Sequence, residues 1–124
     1  MLHVTIDTGA LIALDHRRAR MTRLYAAHRL RGSRVHAPAV AIAEWWRGRT
    51  DFAEKVLAGL LVEPTDEELA RVAGEAMALV PDATTIDALV MATAARHGGI
   101  VYTSDVGDLE RLRLAFPAVR VLSA

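Results

Sequence analysis

Acidic residues follow two stretches of the chain that have the composition of β-strands. Asp7 comes directly after the mostly apolar residues 2–6, and Asp105 follows Thr103 and Ser104 at the end of residues 100–103, with Asp108 shortly after it. In an open parallel sheet, ligands bind in the crevice beyond the carboxyl ends of the strands. We therefore expect these carboxylates to meet at one rim of a sheet, where they could bind a cation.

Each of these acids also has a structural explanation. Asp7 and Asp105 could be N-caps of the helices that follow them, and Asp108 could be the acid of a capping box. Asp87 has the same spacing from an upstream threonine, so it could be only an acid at the start of a helix. The sequence alone leaves both interpretations open for these four residues.

Glu44 is harder to explain as a helix-terminal acid. It is the one charged residue in residues 39–46, which are otherwise apolar. We expect it to be buried, and a buried acid needs a partner or a metal ion. Trp45 and Trp46 follow it, and neighbours on a helix point about 100° apart. We therefore expect one indole ring in the core and the other near the surface beside Glu44.

The elements that would position these residues alternate along the chain. Strand-like and helical patterns follow each other in a βα order, which indicates a parallel sheet with helices on both faces. We predict an α/β fold, a three-layer α/β/α sandwich, and the length of 124 residues fits one domain over residues 1–124. The predicted strands are residues 2–6, 35–37, 61–62, 100–103 and 119–122, and the predicted helices are residues 10–14, 19–30, 40–48, 52–59, 66–79, 86–97 and 109–115.

The composition excludes several classes of protein. Hydrophobic residues make up 52% and charged residues 24% of the chain, so it is not a disordered protein. Cysteine is absent, which excludes disulfide scaffolds, thiolate metal sites and cysteine nucleophiles. No apolar run approaches the roughly 18 residues of a membrane span, and no signal peptide is recognisable. We expect a cytoplasmic protein that makes no membrane contact.

The charges are divided unevenly between the two parts of the chain. Residues 1–50 carry nine arginines and three acids, a net charge of +6, and residues 51–124 carry six basic residues and twelve acids, a net charge of −6. Such a division favours binding of a polyanion to the basic side. A solvated arginine surface explains the same residues equally well. The arginines that we consider for phosphate contacts are Arg17, Arg18, Arg20 and Arg23.

The acidic motifs, taken in order, resemble those of the PIN domain. The motifs are Asp7-Thr8, then Glu44 on a helix with Arg47-Gly48 at its end, then Asp87 at the start of an apolar helix, then Thr103-Ser104-Asp105. More narrowly, they resemble the VapC-type toxins of bacterial toxin–antitoxin pairs. The resemblance spans residues 4–108.

This resemblance implies a function. It implies a metal-dependent endoribonuclease that hydrolyses RNA and leaves 5′-phosphate and 3′-hydroxyl ends. It also implies a cognate antitoxin and a homodimer as partners. The implied catalytic acids are Asp7, Glu44, Asp87 and Asp105; the implied metal ligands are Asp7, Asp87 and Asp105; and Asp108 and Thr103 would be accessory residues. Either Asp105 or Asp108 could be the nearer ligand, and Asp105 is favoured because it directly follows Thr103-Ser104.

The residue types favour Mg²⁺, with Mn²⁺ as a second candidate. Carboxylates gathered in one crevice repel each other unless a cation neutralises them. A set of oxygen ligands suits Mg²⁺ or Mn²⁺, whereas zinc prefers His and Cys ligands. The five histidines, at positions 3, 16, 28, 36 and 97, show no ligand spacing. His97 precedes two glycines, so we expect it to end a helix.

Two other protein classes with an acid-lined α/β fold do not fit these residues. A haloacid-dehalogenase-type phosphatase needs a second Asp at position 9, which is Gly, and a response-regulator receiver needs a late Lys, whereas the only lysine is Lys55. No glycine-rich phosphate-binding loop is present. The remaining alternative is a non-catalytic PIN-like binding module whose acids cap helices or bind an antitoxin.

Overall fold

A five-stranded parallel sheet forms the centre of the protein. The computed structural model describes residues 2–48 and 50–124. All neighbouring strands pair in parallel, in the order β3-β2-β1-β4-β5. The predicted α/β/α sandwich is confirmed, and each predicted strand lies within one or two residues of an observed one. The strands are β1 (His3–Ile6), β2 (Arg34–Pro38), β3 (Leu61–Glu63), β4 (Ile100–Thr103) and β5 (Arg120–Ser123).

The strand order reverses between β1 and β4. The chain begins at the central β1, runs outward to β3, and then returns to β4 on the other side of β1. Loops that leave the two central strands must therefore diverge to opposite sides and leave a crevice between them. Asp7 follows β1 and Asp105 follows β4, so the sequence places both acids beside this crevice.

Helices cover both faces of the sheet. Buried residues of α1 to α4 form one apolar cluster, and those of α5 to α7 form the other. The helices of the described residues are α1 (Thr8–Asp15), α2 (Ala19–Leu30), α3 (Ala39–Trp45), α4 (Asp51–Ala58), α5 (Glu67–Leu79), α6 (Thr85–Arg96) and α7 (Val106–Arg111), followed by a 3₁₀ turn at Leu112–Leu114.

Helix α6 is the most deeply buried helix of the fold. Its residues 88–94 are all buried, on every side of the helix, because it packs between the sheet and α5. A helix that is apolar all round is typical of such a central position. The N-terminus of α6, which carries Asp87, is therefore held at a fixed place beside the carboxyl ends of β1 and β4.

Two predicted helices differ from the observed ones by three residues at one end. The helix predicted over residues 40–48 ends at Trp45, because Trp46 has an extended backbone with ψ of 126° and Gly48 has a φ of 113°. The helix predicted over residues 109–115 begins earlier, at Val106, and ends as a 3₁₀ turn.

None of the helices in the described residues is long and apolar enough to cross a bilayer.

Candidate active site

Five carboxylates line one cleft at the carboxyl ends of β1 and β4. The cleft has a volume of about 360 Å³. The structure thus brings together the acids of four different chain segments, as expected for a crevice at the point where the strand order reverses. We call this cleft, lined by Asp7, Thr8, Gly9, Glu44, Thr84, Ile86, Asp87, Val90, Asp105 and Asp108, the acidic cleft.

Asp7 lies at the base of the acidic cleft. It is 6% exposed, and its backbone N–H donates to the carbonyl oxygen of Tyr102 on β4 at 3.2 Å. Its Oδ1 accepts a hydrogen bond from the N–H of Ala10 at 2.9 Å, so Asp7 is also the N-cap of α1. Its Oδ2 accepts a hydrogen bond from the hydroxyl of Thr103. The capping and the site interpretations are therefore compatible at this residue.

Thr103 connects the two central strands at the cleft. The same hydroxyl that donates to Asp7 accepts a hydrogen bond from the N–H of Asp105 at 2.8 Å. Thr103 is fully buried at the end of β4. One side chain thereby fixes the carboxylate of Asp7 relative to the backbone of Asp105.

Glu44 is not buried, contrary to the expectation from its apolar neighbours. It is exposed in the last turn of α3, and its Oε1 accepts a hydrogen bond from the hydroxyl of Thr8 at 2.5 Å. Because α3 ends one residue later, at Trp45, Glu44 lies at the rim of the cleft where solvent reaches it.

Asp105 and Asp108 also line the cleft. Asp105 occupies the N-cap position of α7 but makes no capping hydrogen bond with its side chain, so the capping explanation is wrong for this residue. Asp108 lies one turn later, and its Oδ1 accepts a hydrogen bond from Arg111 at 2.8 Å. Both acids border the cleft, and Asp105 is the more exposed of the two.

Asp87 is half-buried in the first turn of α6. The N-cap hydroxyl of Thr84 accepts a hydrogen bond from the N–H of Asp87 at 3.1 Å, as the capping pattern predicts. The backbone of Asp87 is thus fixed by the cap, and its carboxylate lines the cleft.

Burial and mutual repulsion raise the pKa of two of the cleft acids. For Asp7, burial is the main cause, and the charges of Asp105 and Asp87 add to it, although hydrogen bonds from Thr103 and Ala10 oppose the shift in pKa. For Asp87, burial again raises the pKa most, followed by the charges of Asp108, Asp105 and Glu44. The cleft therefore disfavours its own negative charge.

The geometry of the cleft agrees with the result of a family comparison. A sequence profile of the PIN domain family matches residues 4–113, which is most of the chain. The chain belongs to the PIN domain family. Comparison with curated protein sequences gave no match.

Solved structures confirm the fold of this PIN domain. One similar chain comes from VapBC2 of Rickettsia felis bound to a DNA fragment from the promoter, with a TM-score of 0.75 and 11% identity over 99% of both chains. Another comes from DNA-bound VapBC of Salmonella typhimurium, with a TM-score of 0.73 and 18% identity over 99% of this chain and 98% of that one. A third comes from FitAB bound to an IR36 DNA fragment, with a TM-score of 0.61 and 19% identity over 97% and 94% of the two chains.

Glycine at position 9 allows two segments of the PIN domain to approach each other. A Cβ atom at Gly9 would lie 1.7 Å from the hydroxyl oxygen of Ser104. Gly9 borders both the acidic cleft and a second cavity of about 290 Å³. We call this second cavity, lined by Gly9, Ile12, Ala13, Arg18, Arg20, Met21, Ser104 and Ala124, the arginine cavity.

The four arginines considered from the sequence have different environments. All four are exposed. Arg20 donates from Nε and Nη2 to the carbonyl oxygen of Ser123, at 3.3 and 3.2 Å, and the guanidinium of Arg17 lies 4.2 Å from the ring centroid of Phe52. Arg18 and Arg20 line the arginine cavity next to the acidic cleft.

The two tryptophans diverge as predicted. Trp45 is 6% exposed, and its Nε1 donates to Asp15 at 3.2 Å, whereas Trp46 is only partly buried. Their rings meet edge to face, with centroids 5.6 Å apart. Both line a further cavity of about 380 Å³ that also reaches Glu44, on the outer side of α3.

Histidines that are far apart in the sequence form a group that their spacing did not reveal. His97 is the C-cap of α6, as its position before two glycines predicts, but it also contacts His36 on β2 and Glu63 on β3. These residues come from three separate elements, so no spacing along the sequence reveals them. Alternation along the strands is the signal that could have revealed them. His3 and Thr5 lie on the same face of β1, and Thr5 is paired with His36 of β2. His3 and His36 therefore lie on the same face of the sheet.

Proposed function

We propose that this PIN domain is a Mg²⁺-dependent endoribonuclease, the toxin of a toxin–antitoxin pair. The observation that carries the proposal is the composition of the acidic cleft. Its lining residues include five carboxylates and no Lys, Arg or His side chain within the part of the chain that the structure describes. Such a cleft needs a cation, and a set of oxygen ligands suits Mg²⁺ or Mn²⁺.

The residues of the cleft fit a metal ion of this kind. Each carboxylate oxygen of Asp7 accepts one hydrogen bond, and a carboxylate oxygen has a second lone pair that can bind a metal. Asp87 and Asp105 would complete the ligand set, and Asp108 would be an accessory acid. When bound, the ion would lower the pKa of a water molecule and stabilise the negative charge that develops on the phosphate.

The protein's own residues would have separate roles in hydrolysis. Thr103 would keep Asp7 ionised and oriented, because its hydroxyl donates to that carboxylate and opposes the rise in pKa. Glu44, exposed at the rim and held by Thr8, would accept a proton from the attacking water. The hydrogen bond from Thr8 engages Oε1 of Glu44, so Oε2 would be the oxygen that takes that proton.

RNA is the proposed substrate because a basic surface adjoins the acidic cleft. Gly9 and the neighbouring Ser104 separate the cleft from the arginine cavity, so a phosphate next to the scissile one could reach Arg18. Contacts between arginine and phosphate supply affinity that does not depend on base sequence. The proposal also assigns the protein to the cytoplasm, where its substrate would be.

The similar structures support the proposal of an antitoxin partner. The matched chains come from VapBC and FitAB complexes, and the match covers nearly the whole of each chain. A groove of about 340 Å³ on the α1, α2 and α4 surface includes Tyr25 and Phe52. We propose that a small antitoxin binds this side of the molecule and that the toxin forms a homodimer.

The proposal is tested by incubation of the protein with total RNA and Mg²⁺, followed by mapping of the cleaved ends. We expect 5′-phosphate and 3′-hydroxyl ends, loss of cleavage in excess EDTA, and recovery with Mg²⁺ or Mn²⁺. Asp87→Asn should abolish cleavage, whereas Asp82→Asn, an exposed turn acid outside the cleft, should not. Undiminished cleavage in EDTA would disprove the metal mechanism. No cleavage of any RNA would favour a non-catalytic binding module.

A further inference from the structure

Three histidines and one glutamate form a second polar group, at the far end of helix α6 from the acidic cleft. Nδ1 of His36 lies 2.7 Å from Oε1 of Glu63, and Nε2 of His97 lies 3.3 Å from Oε2 of the same carboxylate. One ligand atom from each of these three residues lies within 4.8 Å of the others. We call His36, Glu63, His97 and the adjacent His3 the histidine cluster.

One nitrogen of the histidine cluster has no hydrogen-bond partner. Nε2 of His97 is buried, and its orientation toward Glu63 does not make a hydrogen bond although the two atoms are 3.3 Å apart. A buried polar atom without a partner is unfavourable, so native structures contain few of them. The atom that lacks a partner is also one that could bind a metal ion together with Nδ1 of His36 and Glu63.

His3 occupies the place of a residue that orients a metal ligand. Its Nδ1 lies 2.8 Å from Nε2 of His36, on the opposite side of the His36 ring from Glu63. A histidine that binds a metal through one ring nitrogen usually donates its other N–H to a nearby acceptor, which fixes its tautomer and orientation. His3 can be that acceptor through Nδ1 when its own proton is on Nε2.

The backbone after α6 brings His97 close to β1. Gly98 has a φ of 89°, and a Cβ atom at this position would lie 2.6 Å from the carbonyl oxygen of His3. Only glycine readily combines this φ with so close an approach. The turn at Gly98 therefore holds the C-terminus of α6 against the histidines of β1 and β2.

We propose that His36, Glu63 and His97 bind a transition-metal ion of the Zn²⁺ class, with His3 as a positioning residue. Two imidazoles and a carboxylate are a ligand set for zinc, and a water molecule would complete four-coordination. This ligand set differs from the all-oxygen set of the acidic cleft, so the two sites would select different ions. Helix α6 separates His97 from Asp87 by about 15 Å at 1.5 Å per residue.

Binding requires one specific rearrangement. The rings of His36 and His97 stack with their centroids 4.3 Å apart and their planes at 13°, and a metal ion must lie in the plane of each ring that binds it. His36 is fixed because its side chain is only 4% exposed, whereas the side chain of His97 is 23% exposed. The ring of His97 must therefore turn about χ2 toward Glu63. The proton that the ring of His36 shares with Glu63 must leave as the metal binds.

The proposal is tested by titration of the full chain with Zn²⁺ in the presence of excess Mg²⁺, which saturates the acidic cleft. Isothermal titration calorimetry should show one Zn²⁺ per chain. His97→Gln should lower the affinity for Zn²⁺ at least tenfold, and His3→Phe, which retains a ring but no acceptor nitrogen, should lower it about 10–100-fold. His16→Gln, an exposed histidine outside the cluster, is the matched control and should bind like the parent.

Two further measurements keep the test decisive. Co²⁺ should give the visible absorption of a tetrahedral site in the parent and lose it in His97→Gln. If His97→Gln does not fold, as judged by circular dichroism, Glu63→Gln replaces it, because that variant retains the size of the side chain and removes the charge. The absence of Zn²⁺ binding in excess Mg²⁺, or equal binding by the parent and a folded cluster variant, would overturn the proposal.

Discussion

The hydroxyl of Thr103 makes two hydrogen bonds at the acidic cleft. It is buried, it donates to Asp7, and it accepts from the backbone of Asp105. Serine would retain the hydroxyl and lose only a methyl group. Valine would retain the shape and lose both hydrogen bonds. This pair of substitutions therefore separates the polar contribution of Thr103 from its contribution to packing.

We expect Thr103→Val to destabilise the protein by about 1–3 kcal/mol, because it leaves buried polar groups without partners. The pKa of Asp7 should rise further, since the hydrogen bond from Thr103 opposes the effect of burial on that pKa. Affinity for Mg²⁺ should fall about 10–100-fold. Urea denaturation in EDTA and Mg²⁺ titration measure these effects. Equal behaviour of Thr103→Val and Thr103→Ser would contradict the role of the hydroxyl.

The raised pKa of Asp87 predicts how the stability of the metal-free protein depends on pH. The folded state favours the protonated form of this acid, chiefly because of burial and then because of the neighbouring carboxylates. Its contribution to stability is fully present below the unfolded pKa of about 3.9 and is lost as pH rises through the raised folded value. At pH 7 the ionised group therefore destabilises the folded state.

Asp87→Asn should consequently raise the unfolding temperature in EDTA at pH 7, and this advantage should disappear below about pH 4. Added Mg²⁺ should stabilise the parent more than the variant, since it binds only the intact ligand set. Thermal unfolding at a series of pH values measures both effects. Asp82→Asn is the control, because Asp82 is exposed and outside the cleft. A pH-independent difference between parent and Asp87→Asn would show that the ionisation of Asp87 is not its cause.

The capping roles of Asp7 and Thr84 could be predicted, because they follow from local spacing in the sequence. The exposure of Glu44 could not, because apolar neighbours do not imply burial when a helix ends one residue later. The contact between His36 and His97 could not be predicted either, because it depends on the pairing of β2 with its neighbours and on the packing of α6 on the sheet. Contacts of that kind depend on the tertiary fold.

At the scale of elements, the strands were predictable because each is a short apolar run bounded by helical patterns. Helix ends were less so. The sequence gives no breaker immediately after Trp45, and the end of α3 depends on the extended conformation of Trp46. The pair formed by Asp66 and Arg96, at 2.9 Å, joins the N-cap of α5 to the last turn of α6 and holds the pKa of Asp66 at about 2. This pairing of helices was also not visible in the sequence.

Helix α6 contributes to both proposed sites, so its N-cap should matter for function as well as stability. We expect Thr84→Ala to cost about 0.5–2 kcal/mol, because the N–H of Asp87 loses its acceptor. Thr50→Ala, which removes the equivalent cap of α4 from the N–H of Ala53, should cost a similar amount. Only Thr84→Ala should lower RNA cleavage, because α6 carries a cleft acid in its first turn and α4 does not.

The measurements are chemical denaturation and initial rates of cleavage at saturating Mg²⁺. Both variants are compared at a temperature where each is fully folded, so that loss of activity does not follow from unfolding. If the two variants lose activity equally, the cap does not act by positioning the N-terminus of α6 at the site.

At the scale of the whole molecule, the uneven charge of the sequence becomes uneven charge in space. Six arginines of the basic part lie on or directly beside α2, whereas α5 to α7 belong to residues 51–124, which have a net charge of −6. The arginine cavity and the acidic cleft adjoin each other at Gly9. A polyanion that binds the arginines of the basic side would therefore lie next to the cleft, where a bound cation would offset the repulsion by the five carboxylates.

The salt dependence of RNA binding should identify the arginines that contact phosphates. Arg20 and Arg17 already contact Ser123 and Phe52, so we expect Arg18 and Arg23 to be the better candidates for phosphate contacts. If each neutralises one phosphate of a single strand, the double variant Arg18→Ala/Arg23→Ala should lower the slope of log K against log salt by about 1.4.

Fluorescence anisotropy with a single-stranded RNA measures this slope, in an Asp87→Asn background with Ca²⁺ so that no cleavage occurs. The matched control is Arg71→Ala/Arg120→Ala, which removes two exposed arginines from the acidic part of the chain and should leave the slope unchanged. A non-specific effect of net charge would weaken binding equally in both double variants, because each loses two positive charges. Local contacts of Arg18 and Arg23 with phosphates change the slope only in Arg18→Ala/Arg23→Ala. Equal slopes in the two variants would show that Arg18 and Arg23 are solvated surface residues that do not contact phosphate.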